Sequence, residues 1–82
     1  MSAADFCGFL ADETPKVADL QPAEYAAATF GSALMSFYSE HGLLTDIDGN
    51  DMDALAAKGC PDAAAKVLPV LGASSFADLL SS

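Results

Sequence analysis

The chain has 82 residues, which is room for one domain, and 52% of them are hydrophobic. Twelve Asp and Glu residues stand against three lysines, and the formal net charge is −9. This charge excludes direct binding to nucleic acid or to an anionic membrane surface, because both are polyanions. It favours a basic protein partner, or a second copy of the chain that covers apolar surface.

Helix start and stop signals recur along the chain and predict an all-α fold. Ser2 is placed to cap a first helix, and Thr14 followed by Pro15 is typical of the start of a second, short one. The aromatic residues are numerous enough to form the core, and Tyr25 is counted among them. Further helix starts are predicted at Asn50, at Pro61, and at Ser74 or Ser75.

The longest predicted helix spans about 22–41. Phe30, Leu34 and Tyr38 recur on one face of it, and Gly42 stands where a left-handed C-terminal cap belongs. The uncharged run within it, residues 25–39, is shorter than the about 20 residues that cross a bilayer, so no membrane span is expected. The sequence therefore predicts one helical domain over residues 1–82, a compact bundle of about five mostly short helices around this long central helix.

The densest group of acidic side chains lies in the segment 46–53. Its first five positions resemble the opening of an EF-hand calcium loop, in which oxygen ligands alternate along a turning backbone. The sixth position, where that loop needs glycine, is Asp51, and the twelfth, where it needs a bidentate glutamate, is Ala57. The resemblance therefore implies at most weak cation binding, and no metal cofactor is expected. The oxygen ligands for such a cation would come from Asp46, Asp48 and Asn50.

The favoured interpretation of this segment is a solvated turn. Asn50 and Asp51 would then cap the following helix, and Asp53 would interact with its dipole. The scarcity of cations elsewhere in the chain makes the same segment the best candidate for binding a partner. The candidate partner-binding residues are Asp46, Asp48, Asp51 and Asp53.

The chain has two cysteines, Cys7 and Cys60, and one histidine, His41. The N-terminus lacks the charged start and apolar run of a signal peptide, which favours a cytoplasmic protein with two free thiols. The alternative is a secreted protein in which a Cys7–Cys60 disulfide closes a long loop. A catalytic pair would need His41 beside Cys60, and no spacing predicts that contact.

The sequence contains no Gly-rich phosphate loop, nucleophile elbow or zinc-protease motif, so we expect that the chain is not an enzyme and holds no cofactor. The leading hypothesis is a protein-binding module, either an adaptor or a self-associating domain. One alternative is an acidic inhibitor of the immunity-protein type, which blocks a basic nucleic-acid-binding target. Another is a carrier of an apolar small ligand.

Overall fold

A computed structural model describes residues 1–81 as five α-helices and one 3-10 turn. No residue of that range lies in a β-strand, which confirms the all-α prediction with about five helices. None of these helices combines the length and the apolar character that a bilayer-crossing segment requires. The elements are α1 (Ala3–Val17), α2 (Ala23–Glu40), the 3-10 turn (Leu44–Asp46), α3 (Gly49–Gly59), α4 (Pro61–Val70) and α5 (Phe76–Ser81).

The structure does not show the single long central helix that the sequence predicted. The helix predicted at 22–41 is α2, which has 18 residues, whereas α1 has 15. Instead, α1 packs against α2, α3 and α4, and α3 packs just as extensively against α1, α4 and α5. The fold is therefore a compact group of five helices in which α1 and α3 share most of the helix–helix contact.

The length of α1 depends on Thr14 and Pro15, which continue this helix instead of starting a new one. Proline cannot donate a backbone hydrogen bond, so its place inside a helix removes one bond from the ladder. The hydroxyl of Thr14 donates to the carbonyl of Leu10 at 2.6 Å, and Val17 in the next turn is fully buried. Burial of that turn keeps α1 helical to Val17, because tertiary packing supplies most of a helix's stability.

Three predicted helix boundaries are confirmed by their local geometry. The Ser2 hydroxyl accepts a hydrogen bond from the backbone of Asp5 at 3.1 Å, and α1 begins there. Gly42 has a φ of +69°, the left-handed conformation that ends α2. The Ser75 hydroxyl accepts from the backbone of Asp78 at 2.9 Å at the start of α5.

An aromatic cluster from α1, α2 and α5 forms much of the core. The Phe6 ring meets the Phe76 ring edge-on at 5.4 Å, and Phe9 stacks on Phe37 at 4.6 Å. Tyr25 is 56% exposed and lies outside this core, contrary to the prediction. It occupies the solvent side of α2, opposite the buried stripe that contains Phe30, Leu34 and Tyr38.

A disulfide joins α1 to the end of α3. It connects Cys7 with Cys60, whose Cα atoms are 5.8 Å apart. The expected pair of free thiols is therefore wrong, and the bond is the one that the secreted alternative assumed. Gly59 permits this approach, because a Cβ at that position would lie 3.0 Å from the Cys7 sulfur and 3.2 Å from the Ala3 methyl.

Candidate functional site

The acidic segment 46–53 runs from the 3-10 turn into the first turns of α3. Asp48 is the N-cap of α3, and its Oδ1 accepts a hydrogen bond from the backbone of Asn50 at 2.9 Å. The capping role predicted for Asn50 and Asp51 thus belongs to Asp48. Asn50 and Asp51 are exposed to solvent, and the carboxylate of Asp51 accepts no hydrogen bond within residues 1–81.

Asp53 points into the fold rather than toward solvent. Its Oδ1 accepts from the backbone of Phe76 at 2.8 Å, and its Oδ2 accepts from Ala77 at 3.2 Å. These two N–H groups belong to the first turn of α5, so Asp53 caps α5 and not the helix in which it lies. Its carboxylate is therefore part of the internal structure, and it lies apart from the other three aspartates of the segment.

Gly49 allows α3 and α5 to approach closely enough for this cap. A Cβ at that position would lie 2.5 Å from the Cα of Ala77 and 2.8 Å from the carbonyl oxygen of Phe76. Backbone atoms cannot move aside as a flexible side chain can, so a larger residue would separate the two helices.

On the outer side of α3, a cavity of about 300 Å³ opens to solvent between the end of α2, the 3-10 turn and α3. Its walls combine polar and apolar side chains. The polar residues are Tyr38, Asp46, Asp51 and Lys58. The apolar residues are Met1, Leu43, Ala54 and Leu55.

Tyr38 contributes its side chain to the wall of this cavity. The residue is 3% exposed, and its hydroxyl has no hydrogen-bond partner within residues 1–81 and is not among the fully buried atoms. Burial raises the pKa of the hydroxyl above its ordinary value, and the negative charges of Asp51 and Asp48 raise this pKa further. The hydroxyl is therefore neutral at physiological pH and lies within the field of two carboxylates.

The carboxylates around the cavity are not neutralised by a neighbouring cation. Among residues 1–81, the one ion pair joins Lys16 to Glu13 in α1, at 3.6 Å. Lys58 lies two turns after Asp51 on the same face of α3 and lines the cavity, but it forms no ion pair there. The cavity thus carries an excess of hydrogen-bond acceptors.

The other predicted site residues do not assemble into a metal or catalytic centre in the part of the chain that the structure describes. No three Asp, Glu, His or Cys side chains of residues 1–81 are placed to hold one metal ion. His41 is exposed, with its Nδ1 3.0 Å from the carbonyl oxygen of Phe37 and its ring 4.5 Å from the Phe37 ring. Cys60 is bonded to Cys7 and has no free thiol.

Sequence reasoning did not assign two polar residues of the cavity, Tyr38 and Lys58, to a site. Both show a sequence pattern that could have indicated it. Tyr38 was assigned to the core because it lies on the buried stripe of α2. A tyrosine on such a stripe must place its hydroxyl somewhere polar, so it could have been recognised as the edge of a site. Lys58 follows Asp51 by two helical turns, and this spacing already places both on one face of α3.

No family model, curated protein sequence or solved structure matches this chain. The cavity and the carboxylates around it are therefore the observations from which a function can be argued.

Proposed function

We propose that the chain is a non-catalytic module that binds a basic protein partner through Asp46, Asp48 and Asp51, here called the acidic rim. The supporting observation is that these three carboxylates are exposed, that Asp46 and Asp51 line one cavity, and that no cation within residues 1–81 pairs with them. Asp48 also caps α3, whereas Asp46 and Asp51 are exposed and unpaired. Such charges contribute little to a fold, so their position beside a cavity favours recognition. The fourth aspartate of the segment, Asp53, is left out because it caps α5.

A basic partner fits this surface better than a second copy of the chain. A second copy would also carry a net charge of −9, and the two molecules would repel each other. A basic partner would be attracted at long range, which raises the association rate at low salt. The inhibitor alternative uses the same surface, because a nucleic-acid-binding target presents a basic site.

We place this binding in an oxidising compartment, as the secreted alternative assumed, rather than in the cytoplasm. Disulfides persist where thiols are not kept reduced, and the Cys7–Cys60 bond joins two elements of the core. A partner would meet the rim where Asp51 lines the cavity.

The test is the affinity of the full chain for a short labelled peptide rich in Lys and Arg, measured by fluorescence anisotropy over a range of salt concentrations. A Glu-rich peptide of the same length is the negative control. The rim variant carries Asp46→Asn, Asp48→Asn and Asp51→Asn. Asparagine retains the capping oxygen at position 48, so α3 keeps its N-cap. We expect this variant to bind about tenfold more weakly, and the affinity of the natural chain to fall with salt.

A variant of equal net charge separates a localised site from diffuse attraction. It carries Asp12→Asn, Asp19→Asn and Asp62→Asn, three exposed positions that do not line the cavity. We expect its affinity to stay within about twofold of the natural chain, because rim-distant charges act only through screened long-range attraction. An equal loss in both variants would show that the chain attracts cations only through its total charge, and the proposal would then be wrong.

A further inference from the structure

The cavity at the acidic rim has the size of a side-chain pocket. At about 300 Å³ it lies at the lower end of the range of small-molecule sites. Leu43 and Leu55 supply apolar wall, whereas Tyr38, Asp46 and Asp51 supply oxygen atoms. An occupant therefore needs an apolar stem and a head that donates hydrogen bonds.

Tyr38 gives an independent reason to expect such an occupant. The residue is only 3% exposed, and within residues 1–81 its hydroxyl makes no hydrogen bond. The oxygen is not among the fully buried atoms, so it keeps contact with solvent where Tyr38 lines the cavity. Polar groups in such a sheltered position are nearly always hydrogen-bonded to protein or to water, and a donor that enters the cavity would take the place of water at this hydroxyl.

We infer that the cavity binds one arginine side chain of the basic partner, with its methylene stem against Leu43 and Leu55 and its guanidinium between Asp51, Asp46 and the Tyr38 hydroxyl. This inference rests on the proposed function and names what the acidic rim recognises. Guanidinium presents five N–H donors in one plane, which suits two carboxylates and a phenolic oxygen better than the compact ammonium of lysine does. Lys58 at the same cavity competes with the ligand for the carboxylates.

Three small probes test the inference on the full, disulfide-bonded chain. They are acetyl-arginine amide, the matching citrulline compound, and guanidinium ion at equal ionic strength. Citrulline has nearly the same shape without the charge, and guanidinium has the charge without the stem. Binding is followed by chemical-shift changes at Tyr38 and Leu55 in NMR spectra. We expect millimolar-range binding of the arginine compound and about tenfold weaker binding of the other two.

Variants assign the binding to named groups. We expect Asp51→Asn to weaken binding of the arginine compound about tenfold, and Tyr38→Phe to weaken it about threefold. Lys58→Gln should strengthen binding about threefold, because it removes the competing ammonium. Asp12→Asn, on the exposed side of α1, is the matched control and should leave binding unchanged. If Tyr38→Phe fails to fold, the exposed Asp51 and Lys58 still decide the question.

Several results would overturn the inference. One is equal binding of the arginine and citrulline compounds, and another is weaker binding of the arginine compound after Lys58→Gln, which would show that Lys58 does not compete for the carboxylates. A third is a shift pattern that avoids Tyr38 and Leu55. If the basic peptide depends on the acidic rim while the arginine compound leaves the cavity unperturbed, this inference fails and the proposed function stands. If the arginine compound binds and the peptide ignores the rim, the proposed function fails and the cavity is a site for free guanidinium compounds.

Discussion

The two sides of α3 carry the same type of side chain and use it differently. On the inner side, Asp53 accepts two backbone hydrogen bonds from α5, and Gly49 brings the two helices together. On the outer side, Asp46 and Asp51 stand unpaired around a cavity that contains a hydroxyl without a partner. The inner aspartate is committed to the fold, whereas the outer ones are free to meet a ligand.

A high density of acidic side chains in one segment therefore does not show what each of these side chains does. Asp51 and Asp53 are separated by one residue, which on a helix turns their side chains about 200° apart. One therefore faces the body of the fold and the other faces solvent. Changes on the inner side should lower stability and leave binding intact, and changes on the outer side should do the reverse.

The largest expected effect is at the bond that joins α3 to α1. Replacing both cysteines, Cys7→Ala with Cys60→Ala, should lower the free energy of unfolding by about 4 kcal/mol, because the bond closes a loop with a sequence separation of 53. Urea unfolding followed by circular dichroism measures this loss. Reductant should reproduce it in the natural chain and have no effect on the variant. A natural chain that is insensitive to reductant would contradict the disulfide.

The next largest effect is expected at Gly49. Gly49→Ala should cost about 2–3 kcal/mol, because the new methyl group would overlap backbone atoms of Phe76 and Ala77. Gly8→Ala is the matched control, since Gly8 lies in α1 with nothing within 4 Å of its added Cβ. The control should stabilise the chain by about 0.5–1 kcal/mol, because alanine is the better helix former. Equal effects of the two changes would show that α3 and α5 are not in close contact.

Asp53 and Asp51 offer the direct comparison of the two sides. Asp53→Ala should cost about 1–2 kcal/mol, because the backbone N–H groups of Phe76 and Ala77 lose their acceptors. Asp51→Ala should change stability by less than about 0.5 kcal/mol, because its side chain is exposed and unbonded. Hydrogen exchange at Phe76 and Ala77 should accelerate only in the first variant. Acceleration in both would mean that the inner and outer roles are not separate.

Sequence reasoning recovered the local parts of this structure well. Ser2 and Gly42 were assigned correctly, and Ser75 was one of the two caps predicted for the last helix. Each of these residues acts within a few residues of its own position. The five helices follow from the same local signals. The acidic segment was also recognised as the place to look for a function, and that prediction remains one that binding measurements must test.

The errors concern contacts between residues far apart in the chain. The acceptors for Phe76 and Ala77 lie on Asp53, which is 23 and 24 residues away. The partner of Cys7 is Cys60, and only the packing of α3 on α1 decides whether the two thiols meet. The helix start predicted at Pro15 was wrong for the same reason. The burial of Val17 against the core outweighs the hydrogen bond that the proline removes from α1.

The smallest expected effect is on the pKa of Tyr38. Its titration tests the outer side of α3 without any ligand. In a Tyr25→Phe background, Tyr38 is the only tyrosine, and its ionisation is followed by ultraviolet absorbance. Its pKa should lie above the ordinary value because of burial first, and because of the charges of Asp51 and Asp48 second. Asp51→Asn should lower the pKa of Tyr38 slightly and leave it raised, because burial is the larger cause.

The same shift predicts how stability depends on pH. The folded chain holds the Tyr38 proton more tightly than the unfolded chain does, since its pKa is raised on folding. The stability from this group is therefore fully present below about pH 10, and it is lost as pH rises from there through the raised pKa. Urea unfolding at several pH values should show this loss, and Tyr38→Phe should abolish it. Ionisation of Tyr38 at the ordinary value would mean that its hydroxyl lies in open solvent, and the outer side of α3 would then lack the sheltered hydroxyl on which the arginine pocket depends.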